Sequence, residues 1–380
     1  MRNKTFLPYG QHCLEADDIN AVVETMKSDL LTGGLAVEKF EKTVKEIVRA
    51  PFCVSCSSGT AGLHLSAKAL GLGKGDTVIV PSITFLATAN TMRVSGAEIL
   101  FADVEPETGL MGPDQLEECL NRHDKKVSAA IVVHLGGQIK APEVFASMAK
   151  KHNFKIIEDA CHAMGTTYKT PDHAGIVGDC KFSQACVFSF HPVKAVAMGE
   201  GGCVTTNLAE ADELLKAYRN NGMIKNPKRF KNTKLAFDSA SEVNQWYYEM
   251  HSIGLNYRAS DIHCSLGSSQ LAKLPKFIEK RRRLVSLYDK FFEELDNPWV
   301  KPVKREPNCE PGWHIYQLLI DFDKLGITRN KVMSVLYEIG IGTQVHYVPV
   351  HLQPYYENRY GNSKLPGAME FYMPLLCRQK

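Results

Sequence analysis

Residues 188–202 read FSFHPVKAVAMGEGG: a short apolar run, then His191 and Pro192, then Lys194, then a cluster of glycines. The run ACVFSF at 185–190 has the character of a buried strand. A lysine in a loop is ordinarily solvated, because its ammonium is costly to remove from water. A lysine just past the carboxyl end of a buried strand has a second use. Held in a desolvated pocket, its amine gives up its proton readily and becomes a nucleophile able to form a Schiff base. Neighbouring segments decide between the two.

Four further apolar runs precede it: TVIVPSITF (77–85), EILFADV (98–104), AAIVVHL (129–135) and FKIIEDA (154–160). Amphipathic helical patterns lie between several of them, in SGTAGLHLSAKALGLG and PEVFASMAKKHN. Alternation of buried strands with helices predicts an α/β domain built on a mostly parallel sheet. After about residue 208 the pattern changes. LAEADELLKAYRNNG reads as a helix stopped by Asn-Gly, and 223–250 is polar and irregular. The stretch from Ser260 to Leu295 reads as a long helix bent near Pro275. WHIYQLLIDF and TRNKVMSVLYEIG then read as a strand and a helix. The expected division is a large domain over 1–250, including the N-terminal segment, and a smaller α+β domain over 251–380.

Bulk composition narrows the class. A net charge of +3 with no long basic run argues against nucleic acid as a partner. The first residues lack the apolar core of a signal peptide, and no run reaches the ~18 apolar residues of a membrane helix. A cytoplasmic protein without a membrane partner is expected. Eleven scattered cysteines suit a reducing compartment. Cys53 and Cys56 form a CxxC, but no second pair stands at zinc-like spacing, so no metal site is expected. Small buried hydrophobes are the better reading for these cysteines.

The polar residues cluster where a site is expected. In open α/β sheets, ligands bind beyond the carboxyl ends of the strands. Thr84 and Phe85, His134, Glu158 and Asp159, Ser189 and His191 all fall at such ends, with Lys194 three residues on. Asp159 and Lys194 have two readings: a structural salt bridge, or partners of a heterocyclic cation held between them. Pyridoxal phosphate requires such a lysine, an acid for its pyridinium nitrogen and an anion cradle. SSGTAGL at 57–63 offers the cradle, with Gly59 for close backbone approach and Thr60 at a helix start. The Ser-Gly-Thr at 58–60 also makes an ordinary N-cap.

These motifs resemble the DegT/DnrJ/EryC1/StrS family of sugar aminotransferases. The match runs in order through LTGG (31–34), SSGTAGL (57–63), PSITFLATANT (81–91), EDACHAMG (158–165), FSFHPVKAVAMGEGG (188–202) and GLNYRASDIHCSLGSSQL (254–271). The resemblance implies the fold type I pyridoxal-phosphate architecture and assigns roles. Lys194 resembles the Schiff-base lysine, Asp159 the pyridinium partner and His162 the residue beside the ring's phenolic oxygen. Thr60 and Ser189 resemble phosphate ligands, with Gly59 supplying backbone and Phe85 the stacking ring. Asn256 resembles an asparagine that reaches the phosphate of a neighbouring subunit, which implies a homodimer with shared active sites.

Relatives that replace the lysine by histidine carry out dehydration, so Lys194 implies transamination, with glutamate as the amino donor by family analogy. The stretch GIGTQVHYVPVHLQPYY (340–356) is most similar to aminotransferases of the pseudaminic acid pathway. They aminate C4 of a UDP-linked 4-keto-6-deoxy-N-acetylhexosamine. Thr32, His346 and His351 are candidate substrate contacts; the alternative for the two histidines is that they cap loop carbonyls. Relatives usually continue past the equivalent of FYMPLLCRQK with a further helix, so a small domain lacking that helix is expected. Competing readings are an aminotransferase for another UDP-, GDP- or dTDP-keto-sugar, a different fold type I enzyme such as a cysteine desulfurase, and a cofactor-binding regulator. A nicotinamide dehydrogenase is disfavoured because no GxGxxG follows the early strands.

Overall fold

The computed structural model describes residues 6–123 and 125–378. Seven strands form the central sheet: β1 (Phe52–Cys56), β2 (Thr77–Pro81), β3 (Glu98–Ala102), β4 (Ala129–Val133), β5 (Lys155–Asp159), β6 (Ala185–Ser189) and β7 (Gly202–Thr206). Their order is β1-β7-β6-β5-β4-β2-β3. All neighbours from β6 to β3 pair in parallel. β7 runs antiparallel to both β1 and β6, so it alone is reversed. The five apolar runs of the sequence are β2 to β6. β1 and β7, FCVSC and GCVTT, lack the Val/Ile density that marked the others.

Helices α1 (Ala16–Met26), α2 (Leu35–Val48), α3 (Gly59–Ala69), α4 (Leu86–Ser95), α5 (Pro113–Asn121), α6 (Pro142–His152), α7 (Ala209–Tyr218) and α8 (Asp261–Ala272) surround this sheet. Strand residues alternate between its two faces. Val78, Val80 and Ile131 join a core with Leu63 and Leu65 of α3 and Met92 of α4. Ile79, Ala130 and Val132 join Leu116 of α5 and Phe145 of α6. Toward β6 and β7, Phe188 and Cys203 pack with Phe40 of α2 and Cys264 of α8. The result is a sheet covered on both sides, as parallel strands require. α3 packs against the sheet so closely that a Cβ on Gly62 would stand 2.7 Å from Val187 Cγ1.

The long helix read from Ser260 to Leu295 is two helices, α8 and α9 (Leu274–Leu295). Pro275 sits in the first turn of α9, where its missing N–H has no intrahelical partner to lose. Beyond α9, strands β8 (Val300–Pro302), β9 (Tyr316–Ile320) and β10 (Leu375–Arg378) form an antiparallel sheet with β9 central. α10 (Arg329–Glu338) lies in the chain between β9 and β10. α8 packs on α1 and α2, and Leu7 bridges to Ile341 through Leu7 N–H to Gly340 C=O at 2.7 Å. The two ends of the chain are thus tied together across the expected domain division. All eleven cysteines are free thiols, and eight are buried. Among the described residues no helix is long and apolar enough to cross a membrane.

Candidate active site

The carboxyl ends of β1, β2, β4, β5 and β6 open onto one cavity of about 640 Å³. α3 starts three residues after β1, and Ser58 caps it by accepting the Ala61 N–H at 3.1 Å. Its first residues, Gly59 and Thr60, face the end of β6. A Cβ added at Gly59 would lie 2.8 Å from Ser189 Cβ and 3.0 Å from Cys161 Sγ. Glycine therefore lets the helix start abut the strand ends. Free N–H groups, the positive end of the helix dipole and the Thr60 and Ser189 hydroxyls converge there, which is the composition of a phosphate cradle.

Asp159 is the last residue of β5 and is buried. Its Oδ2 accepts from Thr88 Oγ1 at 2.7 Å and its Oδ1 from the Cys161 N–H at 3.2 Å. Lys194 lines the same cavity, on a turn in which its own N–H donates to His191 C=O at 2.8 Å. Among the described residues no ion pair joins Lys194 to Asp159, so the salt-bridge reading does not hold. Burial pulls the Lys194 amine below the ordinary lysine pKa, with Cys161 and Asp159 opposing the shift. The neutral, nucleophilic form is thereby made accessible.

Three histidines, His162, His314 and His346, line the same cavity. Burial, then the nearby Lys194 charge, holds His162 well below the usual imidazole range, and His314 and His346 are lowered by burial in the same way. His162 Nδ1 accepts from the Gly136 N–H at 3.4 Å, and Nε2 lies 3.1 Å from the Tyr347 hydroxyl. With Nδ1 accepting, the ring proton sits on Nε2 and points to Tyr347. The His314 ring lies 4.3 Å from that of His162. Tyr9, brought in by the N-terminal segment, places its hydroxyl 2.6 Å from His346 Nε2. Tyr347 also meets Phe85 at 5.8 Å between ring centres.

Of the expected site residues, Gly59, Thr60, Phe85, Asp159, His162, Ser189, Lys194 and His346 line this cavity. Thr32, Asn256 and His351 do not. Thr32 is exposed and bridges to Ser260, in a segment held by Asp261, whose carboxylate accepts from the Gly34 N–H at 2.8 Å. Asn256 is exposed and bridges to Asn220. His351 neither faces the cavity nor caps a carbonyl: its Nδ1 is 2.6 Å from Ser82 Oγ, in a buried pair. Tyr9, Thr88, His314 and Tyr347 belong to the site and were not singled out from sequence. Thr88 and Tyr347 stood inside quoted motifs. Tyr9 meets a residue 337 positions away, for which no local pattern exists.

This donor set fits pyridoxal phosphate. The α3 start, Thr60 and Ser189 suit its phosphate; the fixed Asp159 carboxylate suits a pyridinium nitrogen; the Lys194 amine suits its aldehyde; Phe85 offers an aromatic face. The model of the DegT/DnrJ/EryC1/StrS aminotransferase family matches residues 12–377. The chain is 35% identical to the spore coat polysaccharide biosynthesis protein SpsC of Bacillus subtilis, over 97% of this chain and 90% of that one. It is 32% identical to the UDP-4-amino-4,6-dideoxy-N-acetyl-beta-L-altrosamine transaminase of Campylobacter jejuni, over 98% of this chain and 93% of that one. Its fold superposes on Helicobacter pylori PseC, an aminotransferase of pseudaminic acid biosynthesis, with a TM-score of 0.86 at 28% identity, covering 99% and 94% of the two chains. The chain belongs to the DegT/DnrJ/EryC1/StrS family and is a pyridoxal-phosphate-dependent sugar aminotransferase.

Proposed function

We propose that the protein moves an amino group from glutamate to C4 of a UDP-linked 4-keto-6-deoxy-N-acetylhexosamine, in the cytoplasm, as a step toward a nonulosonic acid of the pseudaminic type. The observation that carries the transamination is the convergence on one cavity of a buried Lys194 amine of lowered pKa and an Asp159 carboxylate fixed by Thr88. The sugar assignment is supported by the activities named for the Campylobacter and Helicobacter relatives and by the resemblance of 340–356 to that subgroup.

Pyridoxal phosphate, when bound, supplies an aldehyde carbon that takes up the amino group and a ring that draws electrons from the bond being broken. Lys194 Nζ would hold that aldehyde, and its amine would carry a proton to and from the substrate carbon as general acid and base. Asp159, whose carboxylate accepts from Thr88 Oγ1 and the Cys161 N–H, would hold the ring nitrogen in its protonated form. His162, uncharged, donates from Nε2 and fixes Tyr347 against the cavity. Thr60, Ser189 and the Gly59 backbone hold the phosphate, Phe85 covers the ring, and Asn256 reaches the phosphate held by a partner subunit in a homodimer. His346 contacts the sugar.

The test is incubation of purified protein with glutamate and a panel of UDP-, GDP- and dTDP-linked 4-keto-sugars, with products identified by mass and NMR. Selective formation of the 4-amino UDP-N-acetylhexosamine is expected. Preferred amination of a GDP- or dTDP-sugar would replace the substrate assignment while leaving the transamination intact.

A further inference from the structure

Thr84 and Thr88 lie at the start of α4, one residue before its N-cap Phe85 and at its third position. Both are buried, at 1% and 0% exposure. Thr88 Oγ1 is 2.7 Å from Asp159 Oδ2 and 2.7 Å from Thr84 Oγ1. The direction of these bonds follows from the proton inventory. An ionised carboxylate only accepts, so Thr88 gives its single hydroxyl proton to Asp159. Thr88 can then only accept from Thr84, whose proton is used in turn. Thr84 lines the cavity, whereas Thr88 lies behind Asp159 and does not.

We propose that Thr88 is a positioning residue for the transamination, locking the Asp159 carboxylate in one orientation, and that Thr84, by donating to Thr88, holds the Thr88 hydroxyl aimed at Asp159. The inference rests on the reading of Asp159 as the partner of the cofactor ring nitrogen. Three features carry it. The Thr88 bond is short and charge-assisted, the class that most strongly restricts a carboxylate. It lies in a dry region, where a chain of hydroxyls strengthens each member. The remaining Asp159 acceptor bond, from the Cys161 N–H at 3.2 Å, is longer and two residues away in sequence, so it leaves the second oxygen to Thr88. A carboxylate free to rotate would pair with a ring nitrogen only part of the time.

The experiment compares Thr88→Val, Thr88→Ser, Thr84→Val and Asp159→Asn holoenzymes with wild type, by kcat, by KM for each substrate, and by the visible absorption spectrum and dissociation constant of the cofactor. Valine keeps the shape of threonine and removes the donor. Thr88→Val is expected to lower kcat by about 10- to 100-fold, the range of a lost charge-assisted hydrogen bond, with KM within about threefold. Its bound-cofactor spectrum should change, and its cofactor should bind more weakly. Thr88→Ser should restore all these quantities to near wild type, and Thr84→Val should show a smaller change of the same kind. A wild-type spectrum and kcat in Thr88→Val, beside a disabled Asp159→Asn, overturns the hydroxyl chain alone. A serine variant as impaired as the valine one also overturns it, because a packing role would then explain both. Near-normal turnover in Asp159→Asn overturns this inference together with the reading of Asp159.

Discussion

At Lys194 and His346 the same cause, removal from water, produces two different pH effects. Burial lowers the lysine pKa, so the neutral amine appears at a lower pH than on a solvated lysine. Lys194→Ala is expected to abolish the covalent link between cofactor and protein that borohydride traps in the wild type. Persistence of a trapped lysine adduct in that variant would move the role to another residue. His346 is pulled down to about 3 by burial and by the Lys194 charge, against 6.5 for a free imidazole. Between these values the unfolded chain binds more protons than the native one, so stability is full above about pH 6.5 and falls as pH drops toward 3. At pH 5 the loss from this one ring is about 2 kcal/mol. Urea unfolding at pH 7 and pH 5 should therefore show a smaller acid penalty for His346→Gln than for wild type. Equal penalties would mean that the ring is already protonated or that solvent reaches it. Residue identities at the strand ends were legible because Asp, Ser, His and Lys are conspicuous after apolar runs. Thr88 was not, because a threonine in a helix start has an ordinary capping use that hides any other.

On the scale of elements, the start of α3 against the end of β6 is the contact that makes the proposed phosphate cradle. Gly59 and Gly62 both permit it, at opposite distances from the cavity. Gly59→Ala places a Cβ 2.8 Å from Ser189 Cβ, at the cradle; Gly62→Ala places one 2.7 Å from Val187 Cγ1, inside the core. Overpacking of either kind costs about 1–3 kcal/mol of stability. Only Gly59→Ala is expected to weaken cofactor binding beyond that, by about tenfold or more, because it displaces Ser189 and the helix N–H groups together. Equilibrium dialysis with pyridoxal phosphate, alongside thermal unfolding of both apoproteins, separates the effects. Equal affinities for the two variants would remove the special standing of Gly59. The five parallel strands could be read from sequence because both of their faces are buried, which forces continuous Val/Ile runs. β1 and β7 escaped because polar Ser55, Thr205 and Thr206 find partners outside the sheet, Ser55 Oγ donating to the Glu41 carboxylate of α2 at 2.8 Å. Thr205 Oγ1 donates to Gly178 C=O at 2.8 Å, and Thr206 Oγ1 to Gln184 C=O at 2.6 Å. A buried hydroxyl satisfied by a distant carbonyl leaves no periodic trace.

For the whole molecule, the unanswered placement is that of Asn256. Its segment runs close to the site, with the Ser57 N–H donating to Tyr257 C=O at 2.8 Å, yet Asn256 itself is exposed and outside the cavity of its own chain. Trp246, Ile253 and Leu255 stand exposed nearby in sequence, at 77%, 71% and 42%. Single exposed apolar residues are ordinary, but these three, with the exposed Tyr248 and Met250, fall within ten positions just before Asn256, which suits a surface covered by a second copy. The N-terminal segment and the chain's second half meet through distant contacts, Asp18 with Gln270 252 residues apart and Tyr9 with His346 337 apart, so no local pattern foretold them, and an intersubunit contact is still further from what local pattern records. A homodimer in which each Asn256 serves the partner's cofactor makes a definite demand on mixed dimers. Lys194→Ala and Asn256→Ala chains, each inactive alone, should on subunit exchange form heterodimers with one doubly damaged site and one intact site. Activity should then rise toward a quarter of the wild-type value: at equal mixing about half the dimers are heterodimers, and each carries one working site of two. Cofactor should also stabilise the dimer against dilution, since a phosphate held by both subunits binds only the assembled form. If exchange is demonstrated by mass and no activity returns, each site is complete within one chain and Asn256 serves its own subunit.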